Sequence, residues 1–297
     1  MGTRYSARFF AEHLDEAKIG GAMFAAVDAV DRQMSTWKPK SDLARLNAAP
    51  VGEWVKVPPE LAIVLAEGLR IGRASGGAFD IAVGDLVNDW GFGPVQPRDN
   101  RQHSLTSHSR HSARDSLEFD ETGEYVRKLA PVNLDLSGIA KGFGVDELAR
   151  CLERFAITSY LVGIDGELRA RGRKPDGMPW TIAIERPDYQ MRDAIGVLEM
   201  SDIAVATSGD YRHWIKVNGA RVSHTMDPHT GTPLCNSIAS VTVLAGSCME
   251  ADAWATALMV MGERKGPEFA QARGLEALFL IRQEGRLMQR GTGRFES

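Results

Sequence analysis

The segment from Ser247 to Gly262, SCMEADAWATALMVMG, carries an acid and a hydroxyl at a spacing that could bind a metal ion. Ser247 and Glu250 match a capping box, which predicts that a helix begins at Ser247. Asp252 and Thr256 are four residues apart and would lie one turn above each other on this helix. Carboxylate and hydroxyl oxygens suit Mg²⁺, which keeps further positions for water or phosphate. The alternative is a solvated acid beside a hydroxyl that bonds back to its own helix.

Glycine is dense in a second block, SGGAFDIAVGDLVNDWGFGP, which covers residues 75–94. Because glycine has no side chain, the backbone there can approach a ligand closely. Phe79 offers a flat apolar surface and Asp80 offers a carboxylate. The alternative is a glycine-rich turn followed by a core aromatic cluster, and that alternative is favoured for Trp90 and Phe92.

A third block, NLDLSGIAKGFGVDEL over residues 133–148, places a lysine near a predicted helix start. Asp135 ends an apolar run, Gly138 opens the helix, and Lys141 lies in its first turn. Unpaired N–H groups at a helix start attract an anion, and Lys141 would add positive charge. The spacing is not that of a Walker sequence. A structural strand-to-helix turn with Lys141 in solvent remains the alternative.

A histidine marks the fourth block, which runs from Thr207 to Leu234. Ser208, His224 and Asp227 could in principle form a hydrolytic triad. The block has no nucleophile elbow of the GxSxG form, which disfavours that interpretation. His224 is better interpreted as a general base or an orienting hydrogen-bond donor.

Composition bounds the class of protein to which these blocks belong. The 297 residues are 43% hydrophobic and 25% charged, as is typical of a soluble globular protein. A net charge of −4 disfavours a general nucleic-acid binder, and three cysteines without CxxC spacing predict neither a zinc site nor a disulfide framework. The sequence contains no apolar run of about 18 residues, so no membrane span is predicted. The expected location is cytoplasmic for the chain as written, or periplasmic or membrane-anchored if an export signal is missing.

Hydrophobic periodicity predicts an α+β protein in which helices pack on antiparallel or mixed sheets. One large domain is expected over residues 1–297, with a polar surface loop at about 94–116. Helices are predicted at 13–34, 59–75, 138–155 and from 247 onward. Strands are predicted at 3–11, 117–119, 125–129, 159–164, 180–185, 195–200, 203–208 and 238–245, with a final hairpin over 276–290.

Taken in chain order, the blocks resemble the ApbE family of FAD:protein FMN transferases. The resemblance begins near the first residue and continues almost to the last. It implies an ApbE-like, T-fold-like architecture with a single large domain. The motifs that carry it are MGT at Met1–Thr3, STW at Ser35–Trp37 with Ser41 and Asn47, GGAFD, VGDLVNDWGFGP, DLSGIAKGFGVDEL, TSGDYR, SHTMDPHTG and ADAWATALMVMG.

The resemblance also implies which residues bind ligands. A metal site would use the backbone carbonyl of Gly138 and the side chains of Asp252 and Thr256. Some family members have a further aspartate where Ala255 stands here, which implies one carboxylate fewer near the metal ion. The FAD site would involve Met1, Trp37, Ala78, Phe79, Asp80, Asp135, Lys141 and Met226.

The implied chemistry is a Mg²⁺-dependent transfer of FMN from FAD to a Thr or Ser hydroxyl of a partner, the FMN-acceptor protein of a redox system. AMP would leave, and the partner would carry FMN through a phosphoester. Asp252 and Lys141 would assist, and either His224 or an Asp near the metal would take the hydroxyl proton. Two alternatives are an FAD pyrophosphatase, which forms free FMN and AMP, and a non-catalytic FAD-binding module of a redox assembly.

Overall fold

The computed structural model describes residues 2–11, 15–95, 111–189, 191, 193–211, 214–217 and 220–296. Its helices are α1 (Glu16–Met34), α2 (Asp42–Ala48), α3 (Pro59–Ala74), α4 (Gly84–Asp89), α5 (Ala113–Ser116), α6 (Ala140–Arg154) and α7 (Cys248–Arg273), followed by a 3₁₀ turn at Gly293–Phe295. Its strands are β1 (Tyr5–Phe10), β2 (Val55–Lys56), β3 (Leu117–Phe119), β4 (Tyr125–Lys128), β5 (Ser159–Ile164), β6 (Glu167–Arg171), β7 (Trp180–Glu185), β8 (Ala194–Met200), β9 (Ile203–Gly209), β10 (Trp214–Val217), β11 (Ala220–Ser223), β12 (Met226–Asp227), β13 (Thr232–Pro233), β14 (Ile238–Ala245), β15 (Glu276–Gln283) and β16 (Arg286–Gly291).

A seven-stranded sheet forms the centre of the molecule, in the order β1-β5-β6-β9-β14-β15-β16. Each neighbouring pair in it is antiparallel. Smaller sheets pair β2-β4-β3, β7-β8, β10-β11 and β12-β13. The predicted α+β class is therefore confirmed. Among the described residues, no helix combines the length and apolar character needed to cross a membrane.

Both faces of the central sheet are covered, as the alternation along β15 illustrates. Ala277 and Phe279 point into the core that the sheet shares with α3 and α7. Leu278 and Leu280 point the other way and pack against Ile184 of β7 and neighbouring side chains. Because successive side chains of a strand alternate between faces, an almost continuous apolar strand must be buried on both.

Helices α6 and α7 pack against each other unusually closely, and Gly142 makes this possible. A Cβ atom at position 142 would lie 2.9 Å from Cβ of Asp252 and closer still to the carbonyl of Cys248. The Gly142 amide instead donates a hydrogen bond of 3.0 Å to Asp252 Oδ2. One turn further along α6, buried Asp146 accepts hydrogen bonds of 3.0 Å from the amides of Cys248 and Met249. Asp146 thus satisfies the first unpaired amides of α7.

The start of α7 is as predicted, but the helix is longer and interrupted. Ser247 is the N-cap residue, and its hydroxyl accepts a hydrogen bond of 3.3 Å from the Glu250 amide. The backbone leaves helical geometry at Gly262, whose φ of 81° lies in the left-handed region. Glycine adopts this conformation without the steric cost that a side chain adds. The predicted helix start with Ser247 as its N-cap is therefore confirmed, and a kink separates the segment of the site from the rest of α7.

The other predicted elements agree with the structure to within a few residues, with some additions. Strand β6 was not predicted, although Asp165-Gly166 joins it to β5 in a two-residue turn, a strong hairpin signal. Of the predicted loop at 94–116, residues 96–110 lie outside the described part. Its last four residues form α5, where Ala113 and Ser116 are buried. The short elements α2, α4, β2, β10–β11 and β12–β13 were also missed, because they carry too few residues to show a period.

The close contact of α6 and α7 predicts that Gly142→Ala destabilises the protein. The added methyl must push Asp252 and the start of α7 away, and such overpacking costs about 1–3 kcal/mol. The free energy of unfolding from urea titration measures the loss. Gly20→Ala is the matched control, because among the described residues no atom beyond its chain neighbours and its own helix backbone lies within 4 Å of the added Cβ. Gly20 is in the interior of α1, so this substitution should raise stability, by up to about 1 kcal/mol. An unchanged stability of Gly142→Ala would contradict the tight packing.

Candidate functional site

Segments far apart in the sequence meet around Thr256. A Cβ added at Gly138 would lie 3.1 Å from Thr256 Oγ1 and 3.3 Å from the ring of Phe79. Ser208, near the end of β9, places its hydroxyl 3.1 Å from the Thr256 hydroxyl. The structure therefore brings together Gly138 and Thr256 of the predicted metal site and Phe79 of the predicted FAD site. It also adds Ser208, which was considered only as a possible triad nucleophile.

Asp252 lies one turn before Thr256 and is only 3% exposed. Burial and the negative charge of Glu167 raise the pKa of Asp252, while Lys141 and the hydrogen bond from Gly142 oppose the rise. A buried carboxylate is costly unless a positive charge or hydrogen bonds compensate it. The first two turns of α6 and Glu167 thus form the electrostatic surroundings of this acid.

Lys141 lies in the first turn of α6, as predicted, but it is not a solvated surface lysine. Its ammonium forms an ion pair with Glu167 Oε1, and 34% of the Lys141 side chain is exposed. Burial lowers the pKa of Lys141, but the charges of Glu167 and Asp252 outweigh this effect and raise it above its usual value. The alternative with Lys141 in solvent is therefore wrong. The lysine is held as a permanent positive charge next to Asp252.

Glu167 is the site residue that sequence reasoning missed. It is the first residue of β6 and only 2% exposed. Its second oxygen, Oε2, is buried without a hydrogen-bond partner among the described residues. The signal that could have found it is the Asp165-Gly166 turn, which would have predicted β6 and placed Glu167 at its start. Its pairing with Lys141 joins residues far apart in the chain and was not predictable from spacing.

The donors present fit a magnesium ion better than a softer metal. Among the described residues, no group of three or more His, Cys, Asp or Glu side chains is placed to hold a metal ion. What the predicted positions offer is one carboxylate of Asp252, the hydroxyl of Thr256 and the backbone of Gly138. All of these supply oxygen, and Mg²⁺ commonly uses few protein ligands together with water and substrate phosphates. Ala255 is fully buried in the core and supplies no ligand.

Two predicted FAD-binding blocks are joined by their backbones. The Asp135 amide donates a hydrogen bond of 2.8 Å to the carbonyl of Ile81, which sets Asp135 beside the Ala78-Phe79-Asp80 segment. The Asp135 carboxylate accepts a hydrogen bond of 2.8 Å from the Ser137 amide. The Asp80 carboxylate accepts hydrogen bonds from the amides of Ala82 and Ala113, at 2.8 and 3.0 Å. Burial raises the pKa values of both acids.

Trp37 lies on a loop whose neighbouring motif residues are structural. Ser41 caps α2 and donates a hydrogen bond of 2.7 Å to the Ser35 carbonyl, which closes the loop. The Asn47 amide pairs with both backbone groups of Leu134, at 2.8 and 2.9 Å. Trp37 itself is 66% exposed. Packing within the chain therefore does not account for an aromatic side chain at this position.

The segment around His224 meets the glycine-rich block at two points. The ring of His224 lies 6.4 Å from that of Phe92, measured between centroids. His229, on the turn after β12, lies 3.3 Å from the carbonyl of Gly76 through Nε2. Met226, which lies between these two histidines in the sequence, is buried on β12. Met1 lies outside the described residues.

The interpretation of Ser208, His224 and Asp227 as a hydrolytic triad gains nothing from the structure. Ser208 pairs with Thr256, and Asp227 accepts a hydrogen bond of 2.8 Å from the His229 amide within its own turn. Two of the three residues therefore have other structural partners.

Comparison with known proteins decides the family. Residues 1–279 match the ApbE family. An FAD:protein FMN transferase of Vibrio cholerae is 38% identical over 285 residues, covering 95% of this chain and 85% of the relative. The chain belongs to the ApbE family. An FAD:protein FMN transferase of Haemophilus influenzae is 36% identical over 311 residues, covering all of this chain and 88% of the relative.

Solved ApbE structures share the fold over nearly the whole chain. The flavin transferase ApbE of Vibrio cholerae superposes with a TM-score of 0.88 at 36% identity and covers 99% of this chain and 95% of its own. The apo form of the flavinyl transferase ApbE of Pseudomonas stutzeri gives 0.88 at 35% identity, covering 99% and 93%. The predicted ApbE-like architecture is therefore confirmed.

The burial of Asp135 predicts that Asp135→Asn stabilises this ApbE protein at neutral pH. Because folding raises the pKa of Asp135, its carboxyl loses the proton at a lower pH in the unfolded chain than in the folded protein. Ionisation of Asp135 therefore favours the unfolded state as pH increases. The amide keeps the shape and an oxygen for the Ser137 amide. The variant should unfold at a higher temperature than the parent at pH 7, and the difference should shrink toward pH 3, where both states hold the proton. Thermal unfolding followed by circular dichroism measures it.

Asp176→Asn is the matched control, because Asp176 is exposed and accepts a hydrogen bond from the Met178 amide, which an Asn oxygen also accepts. It should leave the unfolding temperature unchanged at both pH values. A lower stability of Asp135→Asn at pH 7 would mean that the carboxylate is better compensated than its burial suggests.

Proposed function

We propose that this protein is a Mg²⁺-dependent FAD:protein FMN transferase that moves FMN from FAD to a Thr or Ser hydroxyl of a partner flavoprotein. The observation that carries the proposal is the convergence of Gly138, Asp252 and Thr256 beside Phe79 and Lys141. Family membership and the names of the relatives in Vibrio cholerae and Haemophilus influenzae support a transferase that uses FAD.

FAD would extend from the α6–α7 contact, where Phe79 of the glycine-rich block borders Gly138, toward the exposed Trp37. Trp37 is exposed and free of core packing, which suits a side chain that stacks on a flat ring. Phe79 borders Gly138, so its ring would lie beside the pyrophosphate end of the ligand. Asp80, Asp135, Ala78 and Met226 would shape the walls of the site.

A Mg²⁺ ion would be held by Asp252, Thr256 and the Gly138 carbonyl. When bound, it would neutralise charge on the FAD pyrophosphate and polarise the phosphorus that carries FMN. One carboxylate suffices for such a site if phosphate oxygens supply the remaining negative charge. Ser208, which pairs with Thr256, would fix the direction of the Thr256 hydroxyl.

The chain's own groups would handle the remaining charge and the proton. The acceptor hydroxyl attacks the FMN phosphorus, a new P–O bond forms, and the bond to the AMP phosphate oxygen breaks. Lys141 would stabilise the negative charge that develops on the departing AMP. His224 is our candidate for the base that takes the hydroxyl proton, with a carboxylate near the metal ion as the alternative.

The proposed function predicts that FMN is transferred to an acceptor protein that reaches the site, rather than released as free FMN. The protein is mixed with FAD, Mg²⁺ and a flavin-acceptor domain, and intact-mass spectrometry should show one added FMN on an acceptor Thr or Ser. Replacing that residue by Val removes the nucleophile but keeps the shape, so the mass increase should disappear while FAD still binds.

Asp252→Asn is the control on the enzyme side. A neutral amide compensates far less of the metal ion's charge, so flavin transfer should be lost while the protein remains folded. Release of free FMN at the same rate with and without acceptor would instead identify a pyrophosphatase. No turnover of FAD under any condition would favour a binding module.

The exposure of Trp37 leads to a separate prediction for FAD affinity. Stacking is worth about 0.5–1.5 kcal/mol beyond burial, so Trp37→Ala should weaken FAD binding severalfold up to about tenfold. Trp37→Tyr keeps an aromatic face and should retain most of the affinity. Quenching of flavin fluorescence on titration gives both dissociation constants. Equal affinity of the Ala variant and the parent would show that Trp37 does not touch FAD.

A further inference from the structure

A buried carboxylate that the proposed reaction does not use lies next to the candidate site. Glu167 is 2% exposed, and one of its oxygens pairs with the Lys141 ammonium. The other, Oε2, is buried without a hydrogen-bond partner in the described part of the chain. Burying a charged group with only one partner is costly, and a residue of this kind calls for an explanation.

We propose that Glu167 is a positioning residue that holds the Lys141 ammonium beside Asp252 without letting it bind Asp252 directly. The inference rests on the proposed function, in which Asp252 is a ligand of the metal ion. It assigns the direct contact of Lys141 to Glu167 and leaves Asp252 available for a cation.

The local geometry supports this division of roles. Asp252 receives a hydrogen bond from the Gly142 amide, so the backbone of α6 compensates it without an ammonium contact. Lys141 influences Asp252 through its charge, whereas it is hydrogen-bonded to Glu167. An ammonium bonded to Asp252 would occupy the oxygens that a metal ion needs. Glu167 therefore prevents Lys141 from competing with the cation for the Asp252 oxygens.

The fold gives Glu167 the rigidity that such a role requires. It begins β6, opposite Ile164 of β5, and β6 lies inside the seven-stranded sheet between β5 and β9. Asp165, whose charge also acts on Lys141, lies on the exposed turn before it. A carboxylate fixed on a central strand holds a flexible lysine stem better than one on a turn.

Direct binding of Mn²⁺, used in place of Mg²⁺, tests the inference without turnover. Free Mn²⁺ is measured by its electron paramagnetic resonance signal in mixtures of protein and FAD without acceptor, with FAD alone as the blank. Glu167→Gln should weaken Mn²⁺ binding by about tenfold to a hundredfold, the range typical of a partner that orients a ligand group. Glu167→Asp keeps the charge and should bind Mn²⁺ nearly as the parent does. Parent-like affinity of Glu167→Gln, or equal losses in both variants, would overturn the inference.

A double variant distinguishes positioning of Lys141 by Glu167 from direct electrostatic attraction of the cation by the Glu167 charge. Lys141→Met with Glu167→Gln removes both charges of the pair, and replacing a buried ion pair by neutral groups is often tolerated. With no ammonium left to reach Asp252, Glu167 has nothing to hold, so this double variant should bind Mn²⁺ as tightly as Lys141→Met alone. It also carries the test if Glu167→Gln alone folds poorly, which thermal unfolding reveals. Weaker binding by a folded double variant than by Lys141→Met would contradict the proposed role.

Two controls distinguish failure of this inference from failure of the proposed function. Asp252→Asn should lose Mn²⁺ binding, and equal binding by this variant and the parent would remove the metal site itself. If Asp252→Asn loses Mn²⁺ while Glu167→Gln retains it, only the role of Glu167 is wrong. Asp165→Asn removes a negative charge near Lys141 without breaking its contact and should bind Mn²⁺ like the parent.

Discussion

The close contact between α6 and α7 is the constraint on which the candidate site depends. Three contacts link the two segments: Gly138 with Thr256, Gly142 with Asp252, and Asp146 with Cys248. From one contact to the next, the residue number rises by four in the first segment and falls by four in the second. The segments therefore run antiparallel, and each step of four is about one helical turn. Glycines bring the backbones together, and Asp146 fixes the register by binding the first amides of α7. Any shift of this register would separate the proposed metal ligands.

The electrostatics of the site follow from that register. The contact buries Asp252 next to the start of α6, where the Gly142 amide and the Lys141 charge compensate it. Glu167 then balances Lys141 from the neighbouring sheet. Lys141 thus has its direct partner in Glu167 and acts on Asp252 through its charge. A site that combines one carboxylate with a nearby positive charge suits a substrate with several phosphate oxygens, since the ligand supplies the missing negative charge.

Around this fixed centre, hydrogen bonds to the backbone hold the segments proposed to bind FAD. The side chain of Asn47 in α2 pairs with the backbone of Leu134, and the Asp135 amide pairs with the carbonyl of Ile81 after the glycine-rich turn, so both join the segment before α6. Trp37 is exposed on its loop. The turn that carries His229 contacts the Gly76 carbonyl. The side chains available to a ligand thus sit on loops, while the strands and helices beneath them set their spacing.

The sequence alone determined the long elements and the family, because periodicity and ordered motifs are local properties. The capping box at Ser247, the strand pattern and the one-turn spacing of Asp252 and Thr256 needed no tertiary information. Only the folded chain decided the partners of these residues. The pairing of Lys141 with Glu167 joins α6 to a strand that the sequence did not reveal. The hydrogen bond of Thr256 with Ser208 likewise joins positions 48 residues apart. Spacing along one element predicts which side chains share a face, whereas contacts between elements depend on how those faces pack.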